Sequence, residues 1–125
     1  MRKQELSFQA KTRKFVRDHI APIGERIESE EEGTFETLSK LGQHGLLGAP
    51  FSQKDGGAGL GWSCEIIFAE EVSAVSAAAE MARLASAALY ATPLAYFGRE
   101  QKQEFLAPVL SWKKIGATAL TADGR

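Results

Sequence analysis

The feature that most constrains this fold is a change of period near the C-terminal end. Up to Leu110 the apolar residues recur at helical spacings, whereas Ile115-Gly116-Ala117-Thr118-Ala119-Leu120-Thr121 alternates in the manner of a strand. A strand cannot satisfy its own backbone hydrogen bonds, so residues 115–121 need partner strands, and nothing earlier in the chain offers a good one. The pattern predicts a mainly α fold: a helical body of five to six helices over residues 1–114, then a single strand opening a missing β-domain over 115–125. On this reading the chain is the front part of something larger.

Composition sets the class. At 125 residues the chain is one domain's worth, enough to bury roughly two-thirds of the surface its unfolded form exposes. Fifteen basic residues against 16 acidic ones give a net charge of −1, and no basic stripe is interleaved with aromatics, which disfavours nucleic-acid binding. Cys64 is alone, so it forms no internal disulfide, and no second Cys or nearby His gives it metal-ligand spacing. The charged start carries no apolar run after it, and Leu84 to Ala91 is too short to span a bilayer. A soluble, cytoplasmic protein is expected.

Along the body, Phe8, Phe15, Val16, Ile20, Ile23 and Ile27 mark an amphipathic first helix from Leu6 to Ile27, kinked near His19 to Pro22. The acidic run Glu28 to Glu32 and Gly33 end it in a solvated loop. Thr34 is the expected cap of a second helix burying Phe35, Leu38 and Leu41 and stopping at His44-Gly45. Leu46 to Phe51 should be extended, and Gly56 to Gly61 a bend before Ser63 caps a third helix burying Cys64, Ile67, Phe68, Val72 and Val75. The alanine-rich segment Ser76 to Tyr90, with Glu80 and Arg83 as its only charges, should be the most buried helix. Thr92-Pro93 reads as a fresh helix start, with Leu94 to Gly98 short and Arg99 to Leu110 facing Phe105, Leu106 and Val109 inward.

Candidate chemistry is sparse. The glycine cluster lacks the Lys-Ser/Thr of a phosphate loop, and Trp62 stands where a dinucleotide loop places its third glycine, so a structural bend is expected. His19 and His44 have no nucleophile or acid at a recognisable spacing. Glu70 and Glu71 point about 100° apart on a helix and do not share a site; one solvated and one paired glutamate is expected. Met81, Leu84 and Leu89 can pack the core or line a channel for an aliphatic ligand. No side chain is predicted as catalytic, and no metal is expected.

The order of these features resembles the N-terminal part of the flavin-dependent acyl-CoA dehydrogenases over nearly the whole chain. The residues that carry the resemblance are Phe15-Val16-Arg17 to Ile20-Ala21-Pro22, Leu41-Gly42 with Gly45-Leu46-Leu47-Gly48, Gly56-Gly57-Ala58-Gly59-Leu60 and Ala69-Glu70-Glu71. Its most specific part is Phe97-Gly98 with Gln101-Lys102, Leu106, Pro108, Leu110, Ile115-Gly116 and Ala119-Leu120-Thr121. The resemblance implies an N-terminal helical domain of an oxidoreductase that also has a middle β-domain and a C-terminal helical domain, assembled as a homo-oligomer. It implies FAD held mainly by the middle domain, α,β-dehydrogenation of an acyl-CoA thioester, and electron transfer to an electron-transfer flavoprotein.

Carried over position by position, Thr118, Leu120 and Thr121 match the strand that touches the flavin. Met81, Leu84, Ala88 and Leu89 fall where the acyl pocket wall would be. The family commonly has Glu-Pro after the threonine, where this chain has Ala122-Asp123. The catalytic carboxylate of the family belongs to its C-terminal part, so no glutamate here inherits that role. The isolated chain should be inactive and hold FAD weakly or not at all. The rival expectation is a non-catalytic helical interaction module, or a subunit that completes another chain's site.

Overall fold

The computed structural model describes residues 1–30 and 33–119, and these fold as helical rods around one main core. The first rod joins α1 (Lys3–Phe15), a π-helical turn (Val16–Ile20), a 3-10 turn (Ala21–Ile23) and α2 (Gly24–Glu30). Pro22 has no N–H for the Asp18 carbonyl and its ring would clash there. The axis therefore widens just before it and tightens across it. This is the kink expected near His19 to Pro22.

The second rod is α3 (Thr34–Gln43). Gly33, at φ 82°, stands at its N-cap, with Thr34 as the first helical residue. Phe35 was expected in the core and is instead 66 % exposed, because Thr37, Leu38 and Leu41 form the inward stripe. Beyond His44 the chain closes in a double-bonded stop: Leu46 N–H donates to Leu41 O (2.9 Å) and Gly45 N–H to Gly42 O (3.0 Å), with Gly45 at φ 67°. Residues 47–50 form tight turns, not the extended run expected. Leu46, Leu47, Ala49 and Phe51 are buried all the same.

After a single 3-10 turn at Gln53–Asp55 the chain enters α4 (Ser63–Ser73), which buries Cys64, Ile67, Phe68 and Val72 as expected. Val75 lies past the helix and is partly exposed. Trp62, not Ser63, occupies the cap position, and the Ser63 hydroxyl is buried with no hydrogen-bond partner among the described residues. Helix α4 lies along α1, where Arg13 grips Glu71 through Nη2 to Oε1 at 2.6 Å and Nε to Oε2 at 3.0 Å. Glu70 is exposed, so the pair divides as the sequence predicts.

The fourth rod runs unbroken from α5 (Ala77–Arg83) through a π-helical stretch (Leu84–Tyr90) into α6 (Ala91–Phe97). No helix starts at Thr92-Pro93. Pro93 sits inside α6, and the wide π turns before it absorb the lost Leu89 partner as they do before Pro22. The rod begins with Ser76, whose hydroxyl oxygen accepts from Ala79 N–H (3.1 Å). The same hydroxyl donates to Glu28 Oε1 (2.8 Å), which also receives Ala78 N–H (2.8 Å). Glu28 is therefore a helix anchor, not part of a solvated loop. Only one side of the rod is buried, through Ala79, Glu80, Arg83, Ser86, Ala87, Ala88 and Ala91, while Met81 is 62 % exposed.

The rod ends at Gly98, whose backbone turns extended (φ −68°, ψ 144°) and where only glycine fits, since a Cβ would lie 2.4 Å from Leu94 O; α7 (Glu100–Leu110) follows. Leu106 and Leu110 form a second small core with Phe51 and Ala91. Residues 115–119 run without regular structure and pair with no strand among the described residues, so the expected strand has no ladder here. Its last two residues, Leu120 and Thr121, lie outside the described residues. The segment is nevertheless docked: Gly116 N–H donates to Ser86 Oγ (2.9 Å), and any Cβ on Gly116 would meet the Tyr90 ring at 2.3 Å.

Candidate functional site: an apolar groove with a buried charge behind it

Where α4 begins beside the π-helical stretch and α6, the surface opens into a groove of about 650 Å³. Its apolar wall is Leu84, Ala88, Leu89 and Pro93, residues that the π geometry and the proline bring to one side of the rod. Trp62 and Tyr96 stand at its edge, joined by a hydrogen bond from Trp62 Nε1 to Tyr96 Oη (3.2 Å), and Phe51 packs edge-on against Trp62. Three of the four residues expected to wall an acyl pocket thus meet in one groove. Met81 does not line it.

Behind Glu65, which also lines the groove, lies a charge cluster that sequence reasoning did not assemble. Arg83 is fully buried; its Nη2 donates to Glu65 Oε1 (2.6 Å) and Glu80 Oε1 (2.6 Å), and its Nε to Glu80 Oε2 (2.8 Å). Its guanidinium also lies 4.7 Å from the centroid of the Phe68 ring. Nη1 has no partner among the described residues. Burial works against the charge of Arg83, but the Glu80 hydrogen bonds and the two carboxylates more than offset it and hold the guanidinium pKa above its ordinary value. The available signal was a Glu and an Arg three apart in an otherwise small-residue helix, where a solvated pair would have little reason to sit.

The other candidates resolve as structure. In the glycine segment the N–H groups of Gly56, Gly57, Ala58, Gly59 and Leu60 are all spent on carbonyls of residues 48–53, so none points outward to hold a phosphate. Gly57 is needed for fit, because a Cβ would lie 2.2 Å from Phe51 O. His19 packs tilted and His44 edge-on against Phe15 at ring-centroid distances of 4.7 and 5.1 Å, and His44 Nδ1 lies 2.7 Å from Lys40 O. Cys64 is buried, and that burial pushes its thiol pKa up, which removes it as a nucleophile. No group of three metal-ligating side chains occurs among the described residues.

Thr118 is exposed on the unpaired segment after Gly116, and Leu120 and Thr121 are outside the description.

Among the described residues, the helical domain thus presents an apolar groove on the π-helical stretch to which Gly116 is also docked. The family model described as acyl-CoA dehydrogenase, N-terminal domain, matches residues 2–113, and the chain belongs to that family. A short-chain specific acyl-CoA dehydrogenase of Clostridium acetobutylicum is 38 % identical over 121 residues, covering 96 % of this chain and 32 % of the relative. The structure of an acyl-CoA dehydrogenase from Bacillus anthracis complexed with FAD superposes with a TM-score of 0.88 at 28 % identity, covering 100 % of this chain and 22 % of that one. A chain from structural work on the electron transferring flavoprotein of Acidaminococcus fermentans gives a TM-score of 0.87 at 28 % identity, covering 98 % of this chain and 33 % of that one. The chain spans about a third of the length of the curated relatives it matches. No helix among the described residues is long and apolar enough to cross a membrane.

Proposed function

We propose that this chain supplies one wall of the acyl site of an acyl-CoA dehydrogenase-type oxidoreductase. The observation that carries the reading is the groove walled by Leu84, Ala88 and Leu89, in a fold that superposes on a relative complexed with FAD. An apolar groove removes water from an acyl chain, and removing water strengthens the fixed donors that must polarise a thioester carbonyl before its α-proton can leave. In this reading FAD is held mainly by a middle β-domain that begins near residue 115, with Thr118, Leu120 and Thr121 at its edge. The complete enzyme passes its electrons to an electron-transfer flavoprotein and works as a homo-oligomer.

The chain by itself is then a binding wall without dehydrogenase activity. Glu65 is the carboxylate on the groove, and Arg83 holds it as an ion-pair partner, not as a free base. Titrating the chain with octanoyl-CoA should quench Trp62 emission, while added FAD, octanoyl-CoA and an electron acceptor should give no turnover. Absence of any quench would remove the groove assignment. A yellow preparation that reduces the acceptor would overturn the claim of inactivity.

A further inference from the structure

At one end of the groove stands a pair of rings bonded to each other. Trp62 Nε1 donates to Tyr96 Oη at 3.2 Å, and these two side chains line a second, smaller cavity of about 130 Å³ as well as the groove. They are the only residues common to the two linings, so the pair stands between the two spaces. Its halves are held unequally. Trp62 packs edge-on against the buried Phe51, with ring centroids 5.5 Å apart. Phe51 is itself fixed by the glycine segment: its carbonyl accepts from Gly59 N–H (2.7 Å) and its own N–H donates to Gly48 O (3.1 Å). Tyr96 is 63 % exposed and is tethered through its hydroxyl. Behind the pair, Pro50, Phe51 and Ala95 give the smaller cavity an apolar side, with Ser52 and Asp55 completing the lining. Asp55 is already paired with Lys102 (3.1 Å), so hydrocarbon entering there meets a charge that has its partner.

We propose that the Trp62–Tyr96 pair is the end wall of the acyl groove and fixes how long an acyl chain the groove accepts. The inference rests on the acyl reading given above and deepens it to chain length. The hydrocarbon lies along Leu84, Ala88, Leu89 and Pro93 with its methyl end against the two rings. Each methylene laid on that wall adds affinity, whereas carbons beyond the rings turn back into water and add none. Trp62 and Tyr96 are specificity-determining residues, and Phe51 positions Trp62. No bond is made or broken; the contact is recognition only.

The test titrates the chain by isothermal calorimetry with CoA thioesters of straight-chain acyl groups from butyryl to tetradecanoyl, each below its micelle concentration. Affinity for the wild type should rise roughly two- to four-fold per added methylene and then level off at one length. Tyr96→Ala opens the wall to the smaller cavity, which has room for several carbon-sized groups, and the levelling point should move to a chain longer by about two carbons or more. Phe97→Ala removes a neighbouring ring that is 84 % exposed and lines neither space, and it should leave the levelling point where it is. Should Tyr96→Ala prove misfolded by circular dichroism, Trp62→Ala opens the same wall and is read the same way. A wild-type series that never levels off, a levelling point unmoved in the folded opening variant, or one moved as far by Phe97→Ala overturns the inference and leaves the acyl reading standing. Failure of every thioester to bind the wild type removes the acyl reading itself.

Discussion

At the scale of single residues the molecule stakes most on Arg83. A buried ion cluster gives little net stability over an apolar replacement of similar shape, but removing its one cation leaves two carboxylates crowded together and partly buried. Arg83→Met should therefore cost roughly 3–5 kcal/mol in urea unfolding. Arg83→Met combined with Glu80→Leu and Glu65→Leu should recover most of that loss. A single variant as stable as wild type would mean the cluster carries no strain of this kind. Glu28 is the second residue of consequence. The Ala78 N–H and the Ser76 hydroxyl hold its pKa below the usual carboxylate range, and the Arg13 guanidinium does the same for Glu71. A depressed carboxylate contributes stability that is present above its unfolded pKa and is lost as pH falls through the folded value. The Tm should accordingly drop as pH is lowered below the ordinary glutamate pKa, and Glu28→Gln should shrink that drop while lowering the Tm at neutral pH. Differential scanning calorimetry across the acid range checks both.

At the scale of elements, two glycines separate two kinds of requirement. Gly45 has open space where a Cβ would go but sits at φ 67°, so Gly45→Ala meets only backbone strain and should cost about 1 kcal/mol. A Cβ on Gly57 would instead meet the Phe51 carbonyl at 2.2 Å and the Gly48 carbonyl at 2.6 Å. Backbone cannot rotate aside as a side chain can, so Gly57→Ala should cost distinctly more than Gly45→Ala in the same denaturation assay. Elements with a strong apolar period were legible in the sequence: the first rod with its bend, α4 from Cys64 to Val72, and the stop at His44-Gly45. The start assigned to Thr92-Pro93 was not. Proline at a first helical position and proline after a widened turn look alike in sequence, and only the packing of the π-helical stretch against the core decides between them. Glu28 was misread for a related reason, since its partners lie 48 and 50 residues away and a local acidic run carries no trace of them.

At the scale of the whole molecule, Leu84, Ala88 and Leu89, expected together at a pocket wall, do line one groove, and Glu65 joins them there without a signal in the sequence. Residues 65 and 83 come together only when α4 packs on α5, and no spacing rule spans that separation. Phe35, Ile66, Met81, Tyr96, Phe97 and Ile115 are all well exposed, Phe97 at 84 %. The chain should therefore self-associate as its concentration rises, and light scattering should show a mass that grows with concentration. A clean monomer throughout would mean these side chains are too scattered to form a sticky face.

The seat of Gly116 against the Tyr90 ring has a mechanical consequence. Tyr90 closes the same π-helical stretch that presents Leu84, Ala88 and Leu89, and Ser86 within it holds the Gly116 amide. A side chain at position 116 would therefore press on the same stretch of backbone that presents the hydrocarbon lining, so the fit of this one glycine and the shape of the cleft are set by a shared helix.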